Sequence, residues 1–470
     1  VGQIKLEENF NKIDYILKKK DQNFNIQSNL VLESVNLKKQ DFIEVFFPSV
    51  SNHINIKNQK LNIKYKNNKL SLSGEGKIKV DNEFENIKYL IVTKDKKINF
   101  DLALNLDKSD FQLNFLNYKK NNQSSTQLKI KGYYEQDKYL FFNNLTILDD
   151  KNKIKFSSLI LNKNNSIKKL DYAEFDYLDT EKKLNKYSIK NIEKNNYKII
   201  GLKFNANTLI TNLLKSTKNK KNNFLQNKIF LNINLDEVSL DEINYISHLK
   251  GNLFIENNNV VQANLSAAFD DNNNISFSIN KDADNNKITT LYSSRAKPLV
   301  KRYKFIKGFD GGYLDFYSFK KDNISKSKLN IYEFKLKELP VLTKILTLAS
   351  LQGIADILSG EGIRFNEFEM NFKSEENFIT IDEIYAIGPA ISILMNGYIE
   401  QDKLISLRGT LVPATTINKT ISTIPVLGKI LVGDKTGEGV FGVSFKIKGP
   451  PKDLETSVNP IKTLTPRFIT

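Results

Sequence analysis

Apolar and polar residues alternate along most of this chain with a period of two. In the segment 97–107, five large apolar residues stand at every second position, which are Ile98, Phe100, Leu102, Leu104 and Leu106, and all the residues between them are polar except Ala103. Successive side chains of a β-strand point to opposite faces, so the pattern predicts a strand with one apolar and one polar face. The chain is therefore restricted to sheet architectures in which one face is shielded from water.

The same alternation recurs along the chain, and polar clusters separate its occurrences. The clusters at 67–68, 149–150 and 270–274 are rich in Asn and Asp, as is typical of hairpin turns between antiparallel strands. Three further alternating sets are Phe111, Leu113 and Phe115; Ile229, Leu231, Ile233 and Leu235; and Ile275, Phe277 and Ile279. With the first set, they are the candidate residues for an apolar core or an apolar binding surface.

Helical periodicity is confined to three segments, all after residue 200. The strongest pattern covers 339–358, a second covers about 416–432, and the weakest covers 209–214. We therefore predict a mainly β protein made of an elongated, repetitive antiparallel sheet. Its first region, 1–200, consists of strands, and its second region, 201–470, combines strands with capping helices.

Length and charge are consistent with this interpretation. A chain of 470 residues corresponds to about three domains by length alone, but repetitive β architectures grow by adding strands. The formal net charge is +17, yet the lysines occur singly on the polar sides of the predicted strands. Because no basic stripe forms, nucleic acid is not an expected partner. The excess positive charge favours anionic lipid surfaces instead.

Residues that carry catalysis or bind metals are scarce in the sequence. The absence of cysteine excludes a disulfide framework, a thiolate metal site and a cysteine nucleophile. The two histidines, His53 and His248, do not have metal-ligand spacing, and no serine lies in a Gly-x-Ser-x-Gly motif. The sequence therefore predicts neither a catalytic site nor a metal nor a cofactor.

One glycine motif matches the sequence pattern of the dinucleotide-binding fingerprint but not its structural context. Residues 437–442 read Gly-Glu-Gly-Val-Phe-Gly, but an apolar helical pattern precedes them and an alternating strand follows. The fingerprint requires the opposite order, with a strand before and a helix after. Gly437 and Gly439 are therefore predicted to be turn residues.

An ordered series of glycine- and proline-containing motifs extends from about residue 197 to the end of the chain. It includes Gly-Gly-Tyr-Leu at 311–314, Leu-Ser-Gly-Glu-Gly at 358–362 and Ile-Pro-Val-Leu-Gly at 424–428. The motif residues, taken as structural, are Gly311, Gly312, Gly360, Gly362, Gly388, Pro389, Pro413, Pro425, Gly428, Gly437, Gly439, Asn459 and Pro460. In this order they resemble the C-terminal region of AsmA-like proteins, the group that includes TamB-type envelope proteins.

The resemblance implies both a fold and a function. AsmA-like proteins are similar to bridge-like lipid-transfer proteins, whose sheets curl into a hydrophobic groove. The implied role is to conduct phospholipid between the inner and outer membranes of a Gram-negative-type bacterium and to support outer-membrane integrity. The implied partners are phospholipid acyl chains and, less directly, outer-membrane or periplasmic proteins. Because the chain starts at Val1, we expect a periplasmic fragment or processed product whose inner-membrane anchor lies upstream.

Two alternatives remain open at this level. The alternating pattern fits a closed β-sandwich or β-solenoid as well as an open groove, and only the resemblance favours the groove. The chain could also be an envelope scaffold or an assembly factor for outer-membrane proteins that carries no lipid. A hydrolase acting on envelope polymers is disfavoured, because no nucleophile and base occur in a recognisable arrangement.

Overall fold

The protein is mainly β, as the alternation predicts. The computed structural model describes residues 2–6, 9–20, 23–38, 47, 50, 53–80, 83–120, 124–136, 138–163, 166–214, 228–257, 259–302, 308–337, 345, 362–401, 403–413, 443–451 and 453–458. Of these residues, 76% lie in strands and 4% in helices. The chain divides into two compact units, Val1–Val260 (unit 1) and Val261–Thr470 (unit 2).

Unit 1 contains seventeen of the described strands, one helix and a short 3₁₀ turn at Asn114–Leu116. The elements are β1 (Gly2–Leu6), β2 (Asn9–Lys20), β3 (Asn23–Lys38), β4 (His53–Lys66), β5 (Lys69–Lys79), β6 (Phe84–Lys94), β7 (Lys97–Leu106), β8 (Gln112–Leu113), β9 (Tyr118–Lys119), β10 (Thr126–Glu135), β11 (Tyr139–Leu148), β12 (Lys153–Asn162), β13 (Ile167–Leu178), β14 (Leu184–Glu193), β15 (Asn196–Asn205), α1 (Asn207–Leu214), β16 (Ile229–Ser239) and β17 (Tyr245–Glu256).

Consecutive strands of unit 1 pair in an antiparallel meander. The series runs from β1 to β7, continues with β10 because β8 and β9 form a separate two-stranded hairpin, and then extends to β15. The turn between β4 and β5 is the Asn67-Asn68 pair, with φ of 50° and 58°. Such positive φ values suit the two-residue turns of hairpins, and Asn adopts them more readily than most residues.

One pair of strands departs from the antiparallel pattern. β15 and β16 lie side by side in parallel, and the connection between them contains α1. A parallel pair needs such a crossover, because the chain must return to the starting end of the sheet. α1 covers the segment 209–214, where the weakest helical pattern occurs. β16 then pairs with β17 in the antiparallel manner.

Unit 2 is a second antiparallel meander. Its elements are β18 (Asn259–Asp270), β19 (Asn273–Lys281), β20 (Lys287–Ser293), α2 (Lys297–Val300), β21 (Phe309–Lys321), β22 (Ile324–Leu336), β23 (Ile363–Glu375), β24 (Phe378–Ile387), β25 (Ile391–Glu400), β26 (Leu404–Pro413), β27 (Val443–Gly449) and β28 (Glu455–Val458). From β18 to β28 each strand pairs with the next.

The core of unit 2 includes a stack of three phenylalanine rings. The centroids of Phe309 and Phe334 are 5.1 Å apart, and those of Phe334 and Phe365 are 5.3 Å apart. Ile345 is helical and fully buried in the same core. The rest of the helix predicted over 339–358, and all of that predicted over 416–432, lies outside the described residues.

The glycines of the first motif have the backbone conformation that glycine tolerates best. Gly311 and Gly312 have φ of 75° and 77°, and a Cβ on Gly312 would lie 2.8 Å from the Tyr332 carbonyl oxygen. The Gly312 carbonyl accepts a hydrogen bond of 2.8 Å from the Ala296 amide, immediately before α2. The motif therefore allows the close approach of the β22 backbone and, through the Gly312 carbonyl, fixes the start of α2.

The remaining motif residues fall both inside and outside the described part of the chain. Gly362 precedes β23, Gly388 and Pro389 separate β24 from β25, and Pro413 ends β26. Those outside the described residues are Gly360, Pro425, Gly428, Gly437, Gly439, Asn459 and Pro460.

Asp310 joins two segments of unit 2 through ion pairs. Its carboxylate lies 2.7 Å from Lys297 Nζ and 3.0 Å from Lys337 Nζ, and these partners lower its pKa from 3.8 to about 2. A depressed folded-state pKa stabilises the fold above the unfolded pKa, and this contribution is lost as the pH falls toward 2.

We expect Asp310→Asn to lower the free energy of unfolding by less than about 1 kcal/mol at neutral pH, because solvent screens this half-exposed pair. The difference from wild type should become much smaller at pH 2, where about half of the wild-type carboxylate is protonated. Thermal melts at neutral pH and at pH 2 measure this difference in stability between the variant and wild type. Asp322→Asn, in the turn between β21 and β22, is the control. A deficit that persists unchanged at pH 2 would contradict the electrostatic explanation.

Candidate functional site

A continuous row of apolar and aromatic side chains crosses nine strands of unit 1. Leu102 on β7 faces Tyr89 on one side and Ile130 on the other, and each residue continues to a partner on the next strand. From β6 to β16 the row is Tyr89, Leu102, Ile130, Leu145, Phe156, Ala173, Ile189, Ile199 and Ile233. At about 4.8 Å per strand, it extends over about 38 Å. We call the side of the sheet that carries this row the apolar face.

A second row runs parallel to the first on the same face. Its members from β7 to β16 are Leu104, Leu128, Ile147, Ile154, Phe175, Tyr187, Gly201 and Leu235. Aromatic contacts join the two rows. The ring centroids of Phe156 in the first row and Phe175 in the second are 5.6 Å apart. Within the second row, the centroids of Phe175 and Tyr187 are 4.6 Å apart. Sets of residues that are more than 100 positions apart in sequence therefore share one surface.

Burial on the apolar face changes along the strands. On β7, Leu104 and Leu106 are 9% and 0% exposed, whereas Ile98, Phe100 and Leu102 are only half-buried. β11 shows the same gradient, because Ile147 is buried and Leu140, Phe142 and Leu145 are half-buried. One end of these strands is therefore covered, and the other is more open.

The segment that connects β7 to β10 covers the buried ends of these strands. We call residues 107–120, which include β8, the 3₁₀ turn and β9, the strap. Its side chains Phe111, Leu113 and Tyr118 are at most 4% exposed and belong to the same apolar cluster as Leu106 and Ile147. The Tyr118 ring lies 5.8 Å from that of Tyr177 on β13. The strap therefore packs across the ends of the strands from β7 to β13.

A buried carboxylate fixes the start of the strap. Glu85 on β6 is 2% exposed, and it accepts hydrogen bonds from the amides of Asp107, Lys108 and Ser109 at 3.0, 2.8 and 2.6 Å. Charge-assisted bonds of this kind are about twice as strong as neutral ones. The three amides compensate the cost of burying the charge.

Further hydrogen bonds fix the middle and the end of the strap. The Tyr118 hydroxyl donates to Asp149 Oδ2 at 3.0 Å, and the Tyr177 hydroxyl donates to the Leu116 carbonyl at 2.8 Å. At the far end, the Asn117 carbonyl accepts from the Thr180 amide at 2.8 Å. Burial next to the Asp149 carboxylate raises the pKa of Tyr118, so its hydroxyl stays protonated at neutral pH.

The structure brings together most of the sequence-predicted residues of unit 1. The sets at 98–106 and 229–235 lie on the apolar face, with Ile229 and Leu235 buried and Leu231 and Ile233 half-buried. In unit 2, Phe277 faces Leu265 and Leu291 on the neighbouring strands. On the same strand, Ile279 is 5% exposed and Ile275 is half-buried.

The strand predicted through Phe115 is wrong. Phe111 and Leu113 are buried, but Phe115 lies in the 3₁₀ turn and is 60% exposed. The turn ends at Asn117 with φ of 52°, a left-handed conformation that stops an extended run. Phe115 therefore has no place on the apolar face.

Sequence reasoning missed Glu85 and the strap. Glu85 occupies the face of β6 that carries Ile87 and Tyr89, where alternation calls for an apolar residue. A charged residue on the apolar side of an alternating strand was the available signal. It marks a buried charge that requires partners from elsewhere in the chain.

Other chemical features of the described residues are few. Within these ranges, no group of three or more His, Cys, Asp or Glu residues is placed to hold a metal ion, and His53 and His248 are exposed. No helix in the described part of the chain has the length and hydropathy needed to cross a membrane. Comparisons with models of known protein families and with the curated proteins find no match to this chain.

Proposed function

We propose that unit 1 binds the acyl chains of phospholipids along its apolar face and that the protein conducts phospholipid in the cell envelope. The observation that carries this proposal is the uninterrupted row from Tyr89 to Ile233, which contains no charged side chain. Its side chains are half-buried except Ala173, which is fully buried, so part of the row remains open to a ligand. Apolar surface that stays accessible in this way often marks a binding site. The resemblance of the glycine- and proline-containing motifs to those of AsmA-like proteins supports the same proposal.

The energetics favour an acyl chain as the occupant. Each methylene removed from water contributes about 0.8 kcal/mol, so a sixteen-carbon chain contributes roughly 13 kcal/mol. The half-buried side chains of Phe100, Leu102, Phe142 and Leu145 would lose their remaining contact with water at the same time. A flexible hydrocarbon chain suits a surface that offers apolar contact without hydrogen-bonding groups.

The opposite face of the sheet is suited to water. Lys131 and Asp101, neighbours on β10 and β7, form an exposed ion pair of 3.2 Å, and Lys186 pairs with Asp176 at 2.7 Å. This division supports a sheet that faces water on one side and lipid on the other. In this proposal the chain is anchored to the inner membrane by a segment outside it, and the apolar face forms a groove toward the outer membrane.

A scaffold function is the second candidate, and one observation favours it. Phe230 and Phe254 stack with ring centroids 4.4 Å apart, and Phe230 is 50% exposed. Phe230 alternates with Ile229 and Leu231, so this pair lies on the opposite side from the apolar rows. A stacked, exposed aromatic pair is a typical contact for a protein partner.

Native mass spectrometry of the full chain, purified without detergent, tests the proposed function. We expect a folded protein that retains phospholipid, seen as mass increments that disappear when detergent is added. Delipidated protein incubated with phospholipid vesicles should regain the increments. A folded protein that never carries lipid under either condition would contradict the proposal and favour the scaffold function.

A further inference from the structure

The two rims of the apolar face differ in charge. One rim, which we call the basic rim, consists of the turns 66–69, 94–97, 135–139, 162–167 and 193–196. Its described residues include eight exposed lysines and three acidic residues. The opposite rim, the strap rim, consists of the segments 79–84, 106–126, 148–153 and 178–184. Its described residues include eight lysines and seven acidic residues. Excess positive charge is therefore concentrated at the basic rim.

The strap covers the end of the apolar face at the strap rim, where the numbers of positive and negative side chains are nearly equal. Leu106, Phe111 and Tyr118 are at most 2% exposed, so the strap leaves none of these side chains open to a ligand at this end of the apolar face. The exposed apolar residues of the strap rim, such as Phe115 and Leu148, lie off that face.

On β7, the half-buried stretch begins at Ile98, next to Lys97, and ends before Leu104. From Lys97 to Leu104 the strand covers about 23 Å. Along β7 and β11 the open part of the apolar face therefore has a basic entrance and a closed end. On β12, β13, β15 and β16 the face is buried at the basic-rim end as well, at Leu159, Leu170, Tyr197 and Ile229, so the open part lies around β7, β10 and β11.

We infer that this surface orients phospholipid, with the phosphate at the basic rim and the acyl chains directed along the strands toward the strap. This inference rests on the proposed function and adds to it a headgroup subsite and a limit on depth. Lysine ammonium groups attract phosphate, so each Lys near an anionic lipid surface strengthens binding. The acyl subsite is lined by Phe100, Leu102, Ile130, Phe142, Leu145 and Phe156.

The opposite orientation would lack both the attraction of the phosphate to the basic rim and the apolar contacts at the ends of the acyl chains. A phosphate at the strap rim would meet Asp107, Asp110 and Asp149 together with the lysines, and the net attraction would be small. The acyl chains would then end at the basic rim, where exposed ammonium groups replace apolar contacts. The orientation of the phospholipid therefore follows from the positive charge of the basic rim and from the strap, which covers the opposite end of the apolar face.

Single tryptophans test the orientation, because the chain has no Trp of its own. We would place one in the full chain at Ile98→Trp, Leu102→Trp or Tyr118→Trp and add phosphatidylglycerol that carries a nitroxide. A headgroup nitroxide should quench position 98 more than 102, and a nitroxide at the chain end should quench 102 more than 98. Neither should quench position 118. Equal or reversed quenching at 98 and 102 would overturn the orientation.

The same measurement separates failure of the orientation from failure of the proposed function. If folded Ile98→Trp and Leu102→Trp variants are quenched by neither lipid, no acyl chain binds this face, and both proposals are wrong. Quenching of both positions without the predicted order leaves lipid binding intact and contradicts only the orientation.

A charge-matched pair of variants tests the headgroup subsite. Lys66→Gln, Lys94→Gln and Lys96→Gln together remove three charges from the basic rim and should weaken phosphatidylglycerol binding roughly a hundredfold. Lys108→Gln, Lys151→Gln and Lys182→Gln remove three charges from the strap rim and should leave binding unchanged. Equal losses from both triple variants would overturn the subsite, because they would indicate a response to net charge alone.

Discussion

The Leu102→Arg variant is expected to remain folded and to lose its bound phospholipid. Leu102 is half-buried in the middle of the apolar row, between Tyr89 and Ile130. An arginine there can follow the surface with its methylene stem and keep its guanidinium in water. The charge would nevertheless interrupt the apolar row, and desolvating it beneath an acyl chain is costly. We expect lipid occupancy to fall about tenfold or more.

The matched control is Asn99→Arg, three residues earlier on the opposite face of the same strand. Asn99 is exposed, and its Nδ2 donates only a long hydrogen bond of 3.3 Å to the Val92 carbonyl. Lipid occupancy by native mass spectrometry and strand content by circular dichroism should match wild type. If Leu102→Arg unfolds the protein, the open part of the face is a closed core. If it folds and keeps its lipid, the row is not the acyl-chain site.

Replacing Glu85 by alanine is expected to give the largest loss of stability among the substitutions considered. Its carboxylate is the common acceptor for the amides of Asp107, Lys108 and Ser109, and alanine would leave these three donors without it. An unsatisfied buried donor costs about 1–3 kcal/mol, and the Ser109 amide is buried whereas those of Asp107 and Lys108 are partly accessible to water, so we expect a loss of about 2 kcal/mol or more. The strap should then detach from the strand ends it covers.

Glu83→Ala is the control for this prediction. Glu83 lies two residues away, and its only described ion pair is a long, exposed one of 3.8 Å with Lys108. Its replacement should change the free energy of unfolding by less than about 0.5 kcal/mol. Amide hydrogen exchange at residues 107–109 should accelerate strongly in Glu85→Ala and not in Glu83→Ala. Unchanged protection in Glu85→Ala would mean that other contacts hold the strap.

Much of the fold was predictable because strand periodicity is a local property. The alternation of Ile98, Phe100 and Leu102 identifies both a strand and its apolar side, and Asn67-Asn68 identifies a hairpin turn. The same reasoning failed at Phe115, where a 3₁₀ turn interrupts the pattern. The spacing of apolar residues alone does not reveal such a turn, because the turn depends on contacts with a distant segment. The Leu116 and Asn117 carbonyls accept hydrogen bonds from Tyr177 and Thr180.

The sequence by itself determined which residues form strands and which side of each strand is apolar, because both depend on neighbours within a few positions. The tertiary structure decided which strands meet, including the parallel pairing of β15 with β16 that places Ile233 beside Ile199. It also decided that the strap buries Leu106 and leaves Leu102 half-buried. These features depend on contacts between segments far apart in the chain, and the periodicity of a single strand carries no information about them.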